Sequence, residues 1–176
     1  MAYGIVRTDA IKATKAGNIK SGRYYVGADP TAIDNGCIVK LHSLITGERE
    51  LWKCVAPGGE TTPNCYLVAS QEIIYDESTK SGQALDKFQN AAGANITLIP
   101  LEVGDTFSIS DDCITPISSG SGIPAVNSYV APDATGVKWA EVANIAKSEV
   151  FYGKIIAREI YNGSKYLNVV EMISVR

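Results

Sequence analysis

Apolar residues in this chain come in short runs rich in Val, Ile, Tyr and Phe, each cut off within a few residues by Gly, Pro, Asn or Ser. An amphipathic helix needs a 3.6-residue stripe sustained over about 10 residues or more, and such runs are too short to carry one. Strands need only about four to eight residues with a period of two, bounded by turn formers. The pattern therefore predicts a mainly β protein: a compact antiparallel β-barrel or sandwich with one short helix, an extended N-terminal arm and a C-terminal β-hairpin.

The individual runs give this expectation detail. In Cys37-Ile38-Val39-Lys40-Leu41, alternation puts Cys37, Val39 and Leu41 on one face, with Lys40 and His42 on the other. The run 50–55 follows the turn-like Thr46-Gly47-Glu48 and completes an antiparallel hairpin with it. The Pro- and Gly-rich stretch 57–64 reads as an exposed loop before a strand at 65–69, which 71–75 extends or follows. Farther on, Thr97, Ile99, Leu101 and Val103 define one strand face, with Pro100 marking an edge or bulge. In 105–110, Phe107 and Ile109 point to the core.

Ala84, Leu85, Phe88, Ala91 and Ala92 break the period of two and form one helical stripe. Thr79 or Ser81 is placed to cap its start and Gly93 its end. Trp139, Val142, Ile145 and Ala146 fit either a helix or an irregular strand. At the C-terminus, 154–161 and 165–173 flank Asn162-Gly163, a dipeptide suited to a two-residue turn. That turn predicts Ile160 opposite Lys165, Arg158 opposite Leu167, Ile156 opposite Val169, Ile155 opposite Val170 and Lys154 opposite Glu171.

The chain divides on composition into an arm (1–36), a β domain (37–114), a Gly/Ser/Pro linker (115–124) and a C-terminal segment (125–176) that is either a hairpin lobe or the completion of the same domain. The arm has turn formers at Gly4, Gly17, Asn18, Ser21, Gly22 and Gly27, and it either wraps its own domain or lies on a partner.

Composition narrows function. At 176 residues, 45% hydrophobic and 20% charged, the chain can bury a core. A net charge of −3 supplies no cationic excess for phosphate, so nucleic acid is not an expected partner. No run approaches the roughly 20 apolar residues of a membrane-spanning helix, and no export signal is evident at the N-terminus. The four cysteines, 37, 54, 65 and 113, form no CxxC pair and are read as reduced, buried strand residues, with no metal and no cofactor expected.

His42 is the single histidine and falls on the wet face of its strand. Asp111-Asp112 and Asp76-Glu77 read as solvated turn carboxylates. No phosphate-loop, dinucleotide, nucleophile-elbow or zinc-protease motif occurs, and the expectation is that the chain is not an enzyme.

Several pieces follow one another along the chain: Asn35-Gly36-Cys37-Ile38-Val39, Thr46-Gly47-Glu48-Arg49-Glu50, Ala56-Pro57, Glu72-Ile73-Ile74-Tyr75-Asp76-Glu77, Leu85-Asp86-Lys87-Phe88-Gln89-Asn90 and Val103-Gly104-Asp105-Thr106-Phe107-Ser108-Ile109. Over roughly residues 30–115 this order resembles the head decoration (auxiliary capsid) proteins of tailed bacteriophages. The resemblance implies a structural virion protein, made in the host bacterial cytoplasm, that binds the major capsid protein on the outside of the head and stabilises it. By family analogy it also implies a homo-oligomer, a trimer. In that setting Tyr3, Ile5 and Arg7 are the expected capsid contacts, the arm adding to a capsid sheet edge; deleting 2–12 is then expected to abolish attachment without unfolding the β domain. The alternative is a carbohydrate- or host-binding module of a head fibre or tail, using loop 57–64 and an aromatic platform.

Overall fold

The computed structural model describes residues 3–59, 63–72, 85–117, 122–145, 150–161 and 165–176. The chain is mainly β, and its strands form a closed barrel and a curled half-barrel. Strands β1 (Lys20–Val26), β3 (Ile38–Leu44), β4 (Leu51–Val55), β5 (Cys65–Val68) and β6 (Ile96–Pro100) lie in the order β1-β4-β3-β5-β6, and β1 pairs with β6 to close the ring. All these pairings are antiparallel except β1 with β4. The two-residue β2 (Asp29–Pro30) folds back on β1.

The half-barrel contains β7 (Thr106–Ser110), β8 (Ile114–Thr115), β9 (Tyr129–Pro132), β10 (Trp139–Val142), β11 (Phe151–Tyr161) and β12 (Lys165–Val175), in the order β7-β12-β11-β9-β10-β8. Sheet membership does not follow the compositional division. β1, from the arm, closes the barrel, and β7, from the expected β domain, pairs along β12. Residues 125–176 thus build one sheet together with β7 and β8. Of the expected linker, 118–121 lie outside the described residues.

Strand alternation explains how one chain fills two cores. In β5, Tyr66 and Val68 face into the barrel, while Cys65 and Leu67 face out against the half-barrel. In the same way Cys37 and Val39 point inward and Ile38 outward. Strands covered on both faces read as continuous apolar runs, as these do. The barrel interior is narrow: a Cβ on Gly22 would lie 2.3 Å from the Cys54 sulfur, so the strand needs glycine there.

The larger core lies between the two units. Its centre is Trp139, fully buried between Phe107 (ring centroids 5.5 Å apart) and Phe151 (6.1 Å), with its indole N–H donating to the Gly36 carbonyl at 3.0 Å. The segment around Trp139 is therefore a strand, and of the two readings open in the sequence the helical one is excluded there.

The helix expected around 81–93 is not formed in its described part. Leu85–Lys87 make one 3₁₀ turn, and Asn90 is extended, bridged to Ile33. Its side chain explains why: Asn90 Nδ2 donates to the Ile33 carbonyl and to Asn35 Oδ1, bonds that require Asn90 to lie alongside that segment. Ala91 and Ala92, the end of the expected stripe, are exposed. Thr79, Ser81 and Ala84 lie outside the described residues.

The C-terminal hairpin forms, with a register that differs near its turn. Tyr161 faces Lys165, Ile160 faces Tyr166, Arg158 faces Asn168 and Ala157 faces Val169, one step from expectation. A bulge at Ile156 absorbs that step, so Ile155/Val170 and Lys154/Glu171 pair as the sequence predicts. The turn residues 162–164 lie outside the described residues.

Candidate partner-binding site

The N-terminal arm wraps its own domain. Its backbone runs along the outer edge of β7: Ser110 N–H donates to the Ile5 carbonyl (3.0 Å), Arg7 N–H to the Ser108 carbonyl (3.0 Å) and Lys12 N–H to the Thr106 carbonyl (2.8 Å). Ile5, at 1% exposure, and Val6 are buried. Gly4 makes the close approach possible, since a Cβ there would lie 2.6 Å from the Cys113 sulfur and 2.7 Å from the Asn35 carbonyl. Asp105, 2% exposed, fixes the far end by accepting from Thr14 N–H (2.8 Å), Thr14 Oγ1 (2.6 Å) and Glu102 N–H (2.8 Å).

The three residues expected to touch a partner therefore differ in what they can do. The Ile5 side chain is spent in the fold, whereas Tyr3 and Arg7 are partly exposed. Arg7 meets Asp9 at 2.6 Å and Glu159 of the hairpin at 3.5 Å; Asp9 holds the guanidinium pKa up, and Arg7 in turn holds that of Asp9 down. Tyr3 N–H donates to the Asp86 carbonyl, and the Asp86 carboxylate is held below its ordinary pKa mainly by its bond to Lys165. The phenol pKa of Tyr161, in the same hairpin, is raised first by burial and then by Glu72 and Asp86. Arm, hairpin and the 3₁₀ turn at Leu85–Lys87 thus share a charged face of three cations (Arg7, Lys87, Lys165) and four carboxylates (Asp9, Glu72, Asp86, Glu159), a formal excess of one negative charge.

The opposite face of the hairpin tip is apolar. On it Ile160 is 70% exposed and Tyr166, directly opposite, 42%. Beneath them Arg158 lies 4.7 Å from the Tyr166 ring centroid and pairs with Asp111 at 2.6 Å. Asp111 also accepts from Asn168 Nδ2 at 2.7 Å, so it braces the hairpin and is not the solvated turn carboxylate expected from sequence. Below the tip, β7 pairs with β12 from Leu167 to Glu171 and braces the hairpin from the side.

Other chemistry-bearing residues are dispersed. His42 is exposed beside Ser43. All four cysteines are free and buried, and burial pushes the thiols of Cys54, Cys65 and Cys113 up to about 12 and that of Cys37 well above its ordinary value. Among the described residues no three His, Cys, Asp or Glu side chains are grouped to hold a metal ion. Asp76 and Glu77 lie outside them. The two tryptophans do not form a platform. Trp139 is in the core, while Trp52 lines a cleft of about 340 Å³ with Ile19, Lys20, Leu44, Arg49 and Glu50.

No protein-family model, no curated protein and no solved structure matches the chain.

The apolar tip was hidden in the sequence. Ile160 and Tyr166 belong to strands that also supply core residues, Phe151, Ile155, Leu167 and Val170 among them, and the length of the hairpin beyond its neighbours is what sets the two apart.

Proposed function

We propose that the chain is a structural virion protein, a decoration protein that attaches to the outside of a tailed-phage head and stabilises it. The observation that supports this reading best is the apolar surface of Ile160 and Tyr166, carried on a braced hairpin that projects past its covering strands. Exposed apolar side chains grouped on a braced element are what a protein-binding surface needs, because little ordering accompanies their burial. The ordered likeness of residues 30–115 to decoration proteins names the partner class, the major capsid protein, and extends to a trimer by the same analogy. The remaining polar side chains support it from the other side. Asp105, Asp111, Asp86 and Asn35 are engaged in holding elements together, which suits a protein whose work is to bind and stay folded.

Co-sedimentation with mature, undecorated phage heads tests the reading. Saturation at a fixed number of copies per capsid subunit is expected, and absence of binding would refute it.

A second reading has one feature in its favour: the Trp52 cleft offers an aromatic surface flanked by Lys20, Arg49 and Glu50, a combination that suits a sugar ring. Binding on a glycan array that disappears in Trp52→Ala would favour this alternative.

A further inference from the structure

Among the described residues, one long edge of the half-barrel has no strand paired along it. β9 pairs with β11 only at Gly153 and Lys154, and the last bonds on that side run between Ile155 and residues 127 and 128. From 156 to 161 the described residues place no strand beside β11 on that flank. The edge of β7, by contrast, is occupied by the N-terminal arm.

An open edge specifies its occupant more narrowly than an apolar patch does. It presents a row of backbone donors and acceptors at strand spacing, and only another extended backbone satisfies them in sequence. We propose that residues 156–161 receive an extended segment of a partner protein as an added strand; this deepens the capsid-binding reading and rests on it. The arm was expected to donate a strand to the capsid. Here the direction is reversed, and the decoration protein supplies the edge.

The side chains set the chemistry of that segment. Successive residues of an added strand point to alternate faces. Those on one face meet Ile160 and Tyr166 and are apolar; those on the other meet the face bearing Glu159, Asp9, Asp86 and Glu72, whose net negative charge favours Lys or Arg. The incoming segment therefore alternates apolar and basic residues.

A second copy of the chain fits poorly. Two β11 edges related by a two-fold axis perpendicular to the sheet pair antiparallel, with residues of equal parity opposite each other. The registers that use the whole open edge centre on 158 or 159. They set Arg158 against its own copy or Glu159 against its own copy, and like charges directly opposite are destabilising.

Amide hydrogen exchange, measured on the full chain free and bound to undecorated heads, tests this directly. Exchange within 156–161 is expected to slow by about tenfold or more on binding, with the barrel amides of β1 and β4 unchanged. Binding to heads without slowed exchange at 156–161 would overturn the edge inference and leave the capsid reading standing. Failure to bind heads would overturn both. Protection of 156–161 in the free chain, together with a doubled mass in solution, would overturn the choice of partner in favour of a second copy.

Discussion

Replacing Ile5 by alanine separates a folding role for the arm from a contact role. Ile5 is 1% exposed, its carbonyl accepts from Ser110 N–H and its own N–H donates to Ser110 Oγ at 3.0 Å, so backbone and side chain are both fixed. Truncation removes the equivalent of three methylene groups at about 0.8 kcal/mol each, and the cavity left beside a fixed backbone raises the total to about 3 kcal/mol. For a chain of 176 residues that corresponds to a fall in thermal midpoint of about 6–12 °C. Arg7→Ala removes only exposed ion pairs and is expected to leave the midpoint within about 2 °C. Differential scanning calorimetry of the two variants beside the wild type gives the comparison. Equal midpoints for wild type and Ile5→Ala would refute the packing of the arm. By the same reasoning, deleting 2–12 destabilises the fold itself, contrary to the expectation from sequence.

Asp105→Ala strips three donors of their shared acceptor and should cost about 3 kcal/mol or more, with Asp105→Asn intermediate; unchanged urea midpoints would contradict the role of Asp105. None of the four thiols should react with Ellman's reagent in the native state, and all four should react in denaturant, because burial both shields them and raises their pKa; rapid native reaction would show the cores to be open. Glu72 is held above its ordinary pKa by burial, so its ionised form disfavours the folded state above that range, and the penalty disappears on protonation. Glu72→Gln should therefore raise the thermal midpoint at pH 7 and leave it unchanged below about pH 3, where both states carry a neutral side chain. A larger difference in acid than at neutrality would contradict the sign.

The fold was legible where burial is local to a strand. Phe107 and Ile109, the inward Cys37 and Val39, and the Lys154/Glu171 end of the hairpin all follow from a period of two. What escaped depends on partners distant in sequence. The run Lys20–Val26 looks like an arm because Gly22 is one of its inward positions, yet it closes the barrel against 96–98. The pairing of β7 with β12 joins residues 57 to 65 positions apart, with no local signal. The apolar stripe at 84–92 was misleading because Asn90 bonds Ile33 and Asn35 and so fixes an extended backbone. At the candidate site the sequence marked the arm and the hairpin, but Ile5 is core, and the exposed Ile160 is visible only once β9 is seen to stop at Lys154.

The hairpin tip is the proposed binding surface, and the affinity of Ile160→Lys for undecorated heads measures its part in attachment. Ile160 is 70% exposed in the free chain, so the substitution should leave the unfolding midpoint unchanged. Covering that side chain contributes about 1–2 kcal/mol to binding, which predicts roughly 5- to 30-fold weaker attachment. Wild-type affinity in Ile160→Lys would contradict the assignment of this surface.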